Sequence, residues 1–234
     1  LVHLDAEGLA ALWTAPVGGG EVGTGYFRPV AMSVLALAGR AGVGTLHLLT
    51  LLCHAVSAGV LVRLLRPAPA AGWMGALFAV HPIASEVLGW ASALPDALAV
   101  CLGLLAVWTS RRSLLGAGLL TLLALLSKES AGLLVPAFVL GHRVPRSALV
   151  AWVAAVVAAL GLRVSAGVSG GWDISGKALF GLEHLLWTLG SLAVPWPITA
   201  VRDLHAVPLG GLLIGGCAVS YTHLRAHETP EHRV

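Results

Sequence analysis

Residues 81–96 read HPIASEVLGWASALPD, and they set His81, Glu86 and Asp96 into a chain that is otherwise almost continuously apolar. An ionisable side chain at membrane depth costs on the order of 3 kcal/mol even on the lenient insertion scale. The stretch therefore either lines a wet cavity with partners or lies as a short loop at the membrane surface, and on the first reading its ionisable groups are functional-site candidates. The membrane is the right reference because 57% of the 234 residues are hydrophobic and 11% are charged, where a soluble domain carries roughly 25% charged residues. The expected fold is all-α, a polytopic transmembrane helix bundle of roughly 7–8 spans or half-spans.

Composition also narrows the partners. Fourteen Lys and Arg stand against eleven acids, scattered rather than clustered, so membrane lipid is expected as a partner and nucleic acid is not. Cys53, Cys101 and Cys217 lie in apolar runs without CxxC or His-Cys spacing, which supports neither a disulfide framework nor a zinc site. They read as small core residues. The chain opens on Leu1 without a signal-peptide pattern, and upstream residues are expected. YTHLRAHETPEHRV at 221–234 cuts across an apolar helix and reads as a non-native tail, its three His included.

Working outward from 81–96, residues 1–43 form an outer stretch and residues 44–220 the membrane bundle. Residues 1–25 are Gly-rich and too polar to span a bilayer. YFRPV at 26–30 sets Arg28 before a proline, which biases it to extended backbone and lets a short helix begin at Pro29 and run to about Ala38. The first clear span is 44–65. Within it His47, Thr50, His54 and Ser57 recur on one helical face, a polar stripe turned either to a cavity or to hydrogen bonds in a packed bundle. Apolar segments follow at 73–80, 95–109, 113–127, 131–141 and 147–162, several of them short for a perpendicular span. Beyond them lie an apolar helix at 178–194 with Glu183 and His184, and a final span at about 207–220.

Threading these segments puts Arg63 with Arg66, Arg111 with Arg112, and Arg143 with Arg146 on one side, which the positive-inside rule makes cytoplasmic. YFRPV, the 81–96 stretch, the Ser127-Lys128-Glu129 turn and the 163–177 loop then share the outer side. Chemistry-bearing residues are segregated to one face, as in an enzyme that works there.

With these motifs in order, the chain resembles the membrane-integral glycosyltransferases of the GT-C class, most of all the transmembrane and tetratricopeptide-repeat O-mannosyltransferase group and its bacterial relatives. The resemblance is carried by YFRPV at 26–30, HLLTLLCHAVSA at 47–58, HPIASE at 81–86 with PDALA at 95–99, LLSKESA at 125–131 and VPWPI at 194–198. It implies transfer of a sugar from a polyprenyl-phosphate carrier to a hydroxyl acceptor, protein or glycan, on the outer face. By that resemblance Arg28 and Lys128 serve the donor phosphate, and Glu86 and Asp96 are the catalytic carboxylates. Tyr26, His54, His81 and Glu129 are further cavity candidates. A phosphate leaving group needs cationic stabilisation, and an acceptor hydroxyl needs a carboxylate to take its proton. The lipid-phosphate sugar is a substrate; no cofactor is implied, and a divalent metal is left open. The resemblance departs in three places: ASALPD lacks the basic residue that relatives carry before the PD pair, the family's acidic pair, the usual place of the catalytic base, would fall before Leu1, and the repeat domain that often follows in this group is not among these residues. A fragment of such an enzyme is the expectation. Low Lys with high Arg, Ala and Gly suggests a bacterial inner membrane and a periplasmic active face.

Two other classes compete. A transporter would line its path with broken helices and midplane charges and usually shows internal repeats, and none is visible here. An intramembrane metalloprotease needs HExxH or its equivalent, and His81 to Glu86 does not put both on one helical face.

Overall fold

The computed structural model describes residues 5–16, 26–140 and 145–168, all within one compact unit, Leu1–Gly170. The Gly-rich loop, Arg143, Glu183, His184, VPWPI, the 207–220 span and the tail lie outside the described residues. Among the described residues the chain is helical, with no strand. The helices are α1 (Ala6–Ala11), α2 (Pro29–Gly39), α3 (Val43–Leu65), α4 (Ala71–Val80), α5 (Ala84–Gly89), α6 (Leu94–Thr109), α7 (Leu114–Leu125), α8 (Leu134–Leu140) and α9 (Ala148–Ser165), with 3-10 turns at Ala91–Ala93 and Glu129–Leu133.

Local chemistry sets the boundaries. Pro29 and Pro95 stand in the first turns of α2 and α6, where a missing N–H costs nothing. Asp96 adds a negative charge to the positive end of the α6 dipole. Ser113 caps α7 by accepting a hydrogen bond from the Gly116 amide at 3.0 Å. Pro82 drives His81 to extended backbone (φ −62°, ψ 130°), and α4 stops at Val80. The 81–96 stretch is not a plain loop: α5 and the 3-10 turn fill it before α6 begins.

Three helices are long and apolar enough to cross a membrane, Val43–Leu65, Ala91–Thr109 with the preceding 3-10 turn, and Ala148–Ser165; Pro29–Gly39, Ala71–Val80, Leu114–Leu125 and Glu129–Val139 are shorter apolar helices. The expectation of seven to eight spans thus meets three of full length among the described residues. Polar and proline breaks at Pro82, Arg111, Arg112 and Ser127 cut the apolar sequence into shorter rods.

The long α6 is the centre, packed on α3, α7 and α8. Its inward positions are mostly small, Ala97, Ala99, Cys101, Gly103 and Ala106 among them, and small residues let neighbouring backbones approach in a bundle that has no hydrophobic drive within lipid. A Cβ on Gly103 would stand 2.4 Å from the Leu134 side chain, so α8 crosses where α6 has no side chain. Val60, Leu64, Leu104, Val107, Val135 and Ala148 form the largest apolar cluster. Because the C-terminal halves of α3 and α6 meet there with the start of α9, these contacts fix direction: α3, α6 and α8 run one way, and α7 and α9 return. Arg63, Arg66, Arg111, Arg112 and Arg146, all exposed, consequently share one end of the bundle. The starts of α3 and α6 and the ends of α7 and α9 form the other. At that second end α2 is held by the Val30 amide on the Leu126 carbonyl, by Phe27 against Leu126, and by the Trp13 indole on Ser33 at 3.1 Å.

Candidate functional site

Three ion pairs assemble at the second end. Glu129, the first residue after the Ser127-Lys128 turn, takes a guanidinium on each oxygen. Arg28 donates Nε (3.1 Å) and Nη2 (2.9 Å) to Oε2, and Arg163 donates Nη1 (3.0 Å) to Oε1. Beside it Lys128 Nζ is paired with Asp96. These residues come from α2's entry, the start of α6, the α7–α8 turn and the end of α9. Three cations face two carboxylates, so the group keeps one net positive charge.

Electrostatics and packing reinforce one another here. Partial burial of Glu129 works to raise its pKa, but its own backbone amide, then Arg28, then Arg163 favour the carboxylate and leave it below the ordinary range. Tyr26 lays its ring against the same guanidinium, with Arg28 Cζ 4.5 Å from the centroid, so one cation is held by a carboxylate on one side and an aromatic face on the other. The cations are 22–29% exposed and the carboxylates 40–42%. The pairs are thus fixed yet within reach of an incoming anion.

Of the sequence-derived candidates, Arg28, Tyr26, Asp96, Lys128 and Glu129 meet in this group. Glu86 lies on α5, which packs on α3, α4 and α6. The two histidines of the α3 stripe bond to neighbouring helices. His54 places Nε2 3.1 Å from the Ala79 carbonyl and stacks on Phe78 at 4.9 Å, and His47 places Nδ1 3.3 Å from the Leu88 carbonyl. Ala79 and Leu88 end α4 and α5, where carbonyls have no partner inside their own helix. Each histidine, two turns from the other, satisfies the end of one short helix. Thr50 and Ser57, the other members of the stripe, bond back to Leu46 and Cys53 within α3. These bonds of the stripe are helix-packing contacts, and His54 stands apart from the ion-paired group. His81 Nδ1 accepts the Ile83 amide at 3.2 Å at the entry to α5.

Arg163 is the member that sequence reasoning did not single out. It was legible only as the charge that ends an apolar run, although the threading of spans had already brought it to the side of Lys128 and Glu129. Among the described residues no three His, Cys, Asp or Glu side chains converge to hold a metal ion. No protein-family model, no curated protein and no solved structure matches this chain.

Proposed function

We propose that the chain is the catalytic-membrane part of a GT-C-like integral-membrane glycosyltransferase that moves a sugar from a polyprenyl phosphate to a hydroxyl acceptor at the ionic end of the bundle. The observation that carries the reading is the gathering of Arg28, Lys128 and Arg163, from three distant stretches, around two carboxylates at the end opposite the arginine-rich one. In this reading Arg28 and Arg163 take the donor phosphate on their guanidinium forks, the geometry best suited to two anionic oxygens. Lys128 adds a point charge as the sugar–phosphate bond breaks. Asp96, paired with Lys128, aims that charge, and Glu86 is assigned to take the acceptor proton. The positive-inside rule turns the arginine-rich end to the cytoplasm and the ionic end to the periplasm of a bacterial inner membrane. A transporter would want its ionisable groups near the midplane, and the ion pairs of the described residues sit at one end instead.

The test is protection of the full chain by polyprenyl phosphate in detergent. The wild-type protein is expected to gain thermal stability with added lipid. Arg28→Ala and Lys128→Ala should weaken that effect at least about tenfold in lipid concentration, the cost of roughly one charge-assisted contact. Arg63→Ala at the other end should leave it unchanged. Equal protection of all four proteins, or none of the wild type, would remove the basis of the proposal.

A further inference from the structure

The apolar distance between the two charged ends is not the same on all sides of the molecule. At 1.5 Å per residue, Asp96 to Arg111 along α6 is roughly 22 Å, Ser113 to Ser127 along α7 roughly 21 Å, and Arg146 to Arg163 along α9 roughly 25 Å. A bilayer's hydrocarbon core is roughly 30 Å. α3, with 23 residues, is about 34 Å long and matches that core without help. Its first turns run on beside α5 and the Ala91–Ala93 turn, so among the described residues the apolar length of α3 exceeds those of α7 and α9 by about 10 Å.

Among the described residues α9 also presents a lipid-type surface. Val150, Val157 and Val164, one every seventh residue, line the outward face of α9 at 69%, 63% and 74% exposure. Only 11% of the apolar window of α9 is buried, against 50% for α6. Val164 sits next to Arg163, so this apolar face runs up to the ionic layer with no polar collar between. An outward apolar face bounded by fixed charges at both ends specifies the thickness of what covers it.

We propose that this protein fits a bilayer thinned on its α7–α9 side to roughly 21–25 Å, so that lipid headgroup phosphates come level with Arg28, Lys128 and Arg163. Full thickness on that side would drag the ionic layer several Å below the headgroups, where charges are costly. The bilayer yields more cheaply, at a fraction of a kcal/mol per Å. Helix lengths, charge positions and the exposed face of α9 carry this fit whether or not the protein transfers a sugar.

The experiment uses the full chain in phosphatidylcholine vesicles with monounsaturated chains of about 14, 16, 18 and 20 carbons, a series that steps the hydrocarbon thickness. The thermal midpoint is expected to be highest with the two shorter lipids and to fall by several degrees toward the longest. In the same vesicles a spin label replaces Val164 or Val157, with Cys53, Cys101 and Cys217 changed to Ala. Even in about 18-carbon lipid, the Val164 label should collide with a water-soluble nickel chelate, and the Val157 label with oxygen only. A midpoint that stays flat or rises with chain length overturns the proposal. So does a Val164 label that sees oxygen alone, or one shielded from both reagents.

Discussion

Replacing Glu129 by Gln keeps the side chain's size but takes the shared anion from between two guanidinium groups. The carboxylate accepts three N–H donors, two from Arg28 and one from Arg163. A charge-assisted hydrogen bond contributes about 1.5–3 kcal/mol when sheltered, but this carboxylate is 42% exposed, and solvent screening brings exposed pairs to about 0.2–1 kcal/mol each. With two such pairs the loss expected at pH 7 is about 0.4–2 kcal/mol. For a chain of this size each kcal/mol moves the melting temperature by about 2–4 °C, so the variant should melt roughly 1–8 °C lower in detergent. The pH dependence gives a second handle. The folded-state pKa of Glu129 is depressed, so its stabilisation is complete above the unfolded value of about 4.3 and is lost as pH falls through the folded value. The gap between wild type and variant should be full at pH 7 and close in acid, where the wild-type side chain is itself neutral. Equal melting at pH 7, or a gap that persists unchanged in acid, would refute the ion-pair account.

Two further outcomes concern helix packing. Gly75→Ala should lower the melting temperature by several degrees, since its Cβ would fall 2.1 Å from Cγ2 of Val62, a β-branched side chain with little rotamer freedom, and overpacking costs about 1–3 kcal/mol. Gly72→Ala on the same helix meets nothing within 4 Å and should be neutral or stabilising by up to about 1 kcal/mol; the same scan checks both. His54→Leu should leave membrane insertion intact but cost about 1–3 kcal/mol, because the Ala79 carbonyl loses its side-chain partner. Amide exchange at the α4–α5 junction, faster than in wild type, is the measurement that separates this local loss from a general one.

Helix positions were largely legible in the sequence because proline, serine and charge punctuate an otherwise uniform apolar chain. Pro29, Pro95 and Ser113 mark starts that the structure repeats to within a residue or so. The pairing of ends was legible too, since alternating runs between arginine pairs admit few threadings. What could not be read was who holds whom. Glu129 shows in sequence as a cavity candidate beside Lys128 but without partners, and these lie 101 and 34 residues away. The roles of His47 and His54 depend on where α4 and α5 stop, and α5 is a six-residue helix too short to leave an apolar period. Their spacing on α3 announced a face, but the face's purpose belongs to its neighbours.

The bond between Arg28 and Glu129 closes a loop of 101 residues, and that separation has a consequence for synthesis. A ribosome adding about 5–20 residues per second reaches Glu129 roughly 5–20 s after Arg28, and Arg163 roughly 2–7 s later still. Through that interval Arg28 has emerged without the carboxylate it ends on, and the Val30 amide that anchors α2 still awaits the Leu126 carbonyl. Closure of the ionic end is thus among the last events in the birth of these helices. A nascent chain arrested before α9 would hold the Arg28–Glu129 pair with the Arg163 bond still missing.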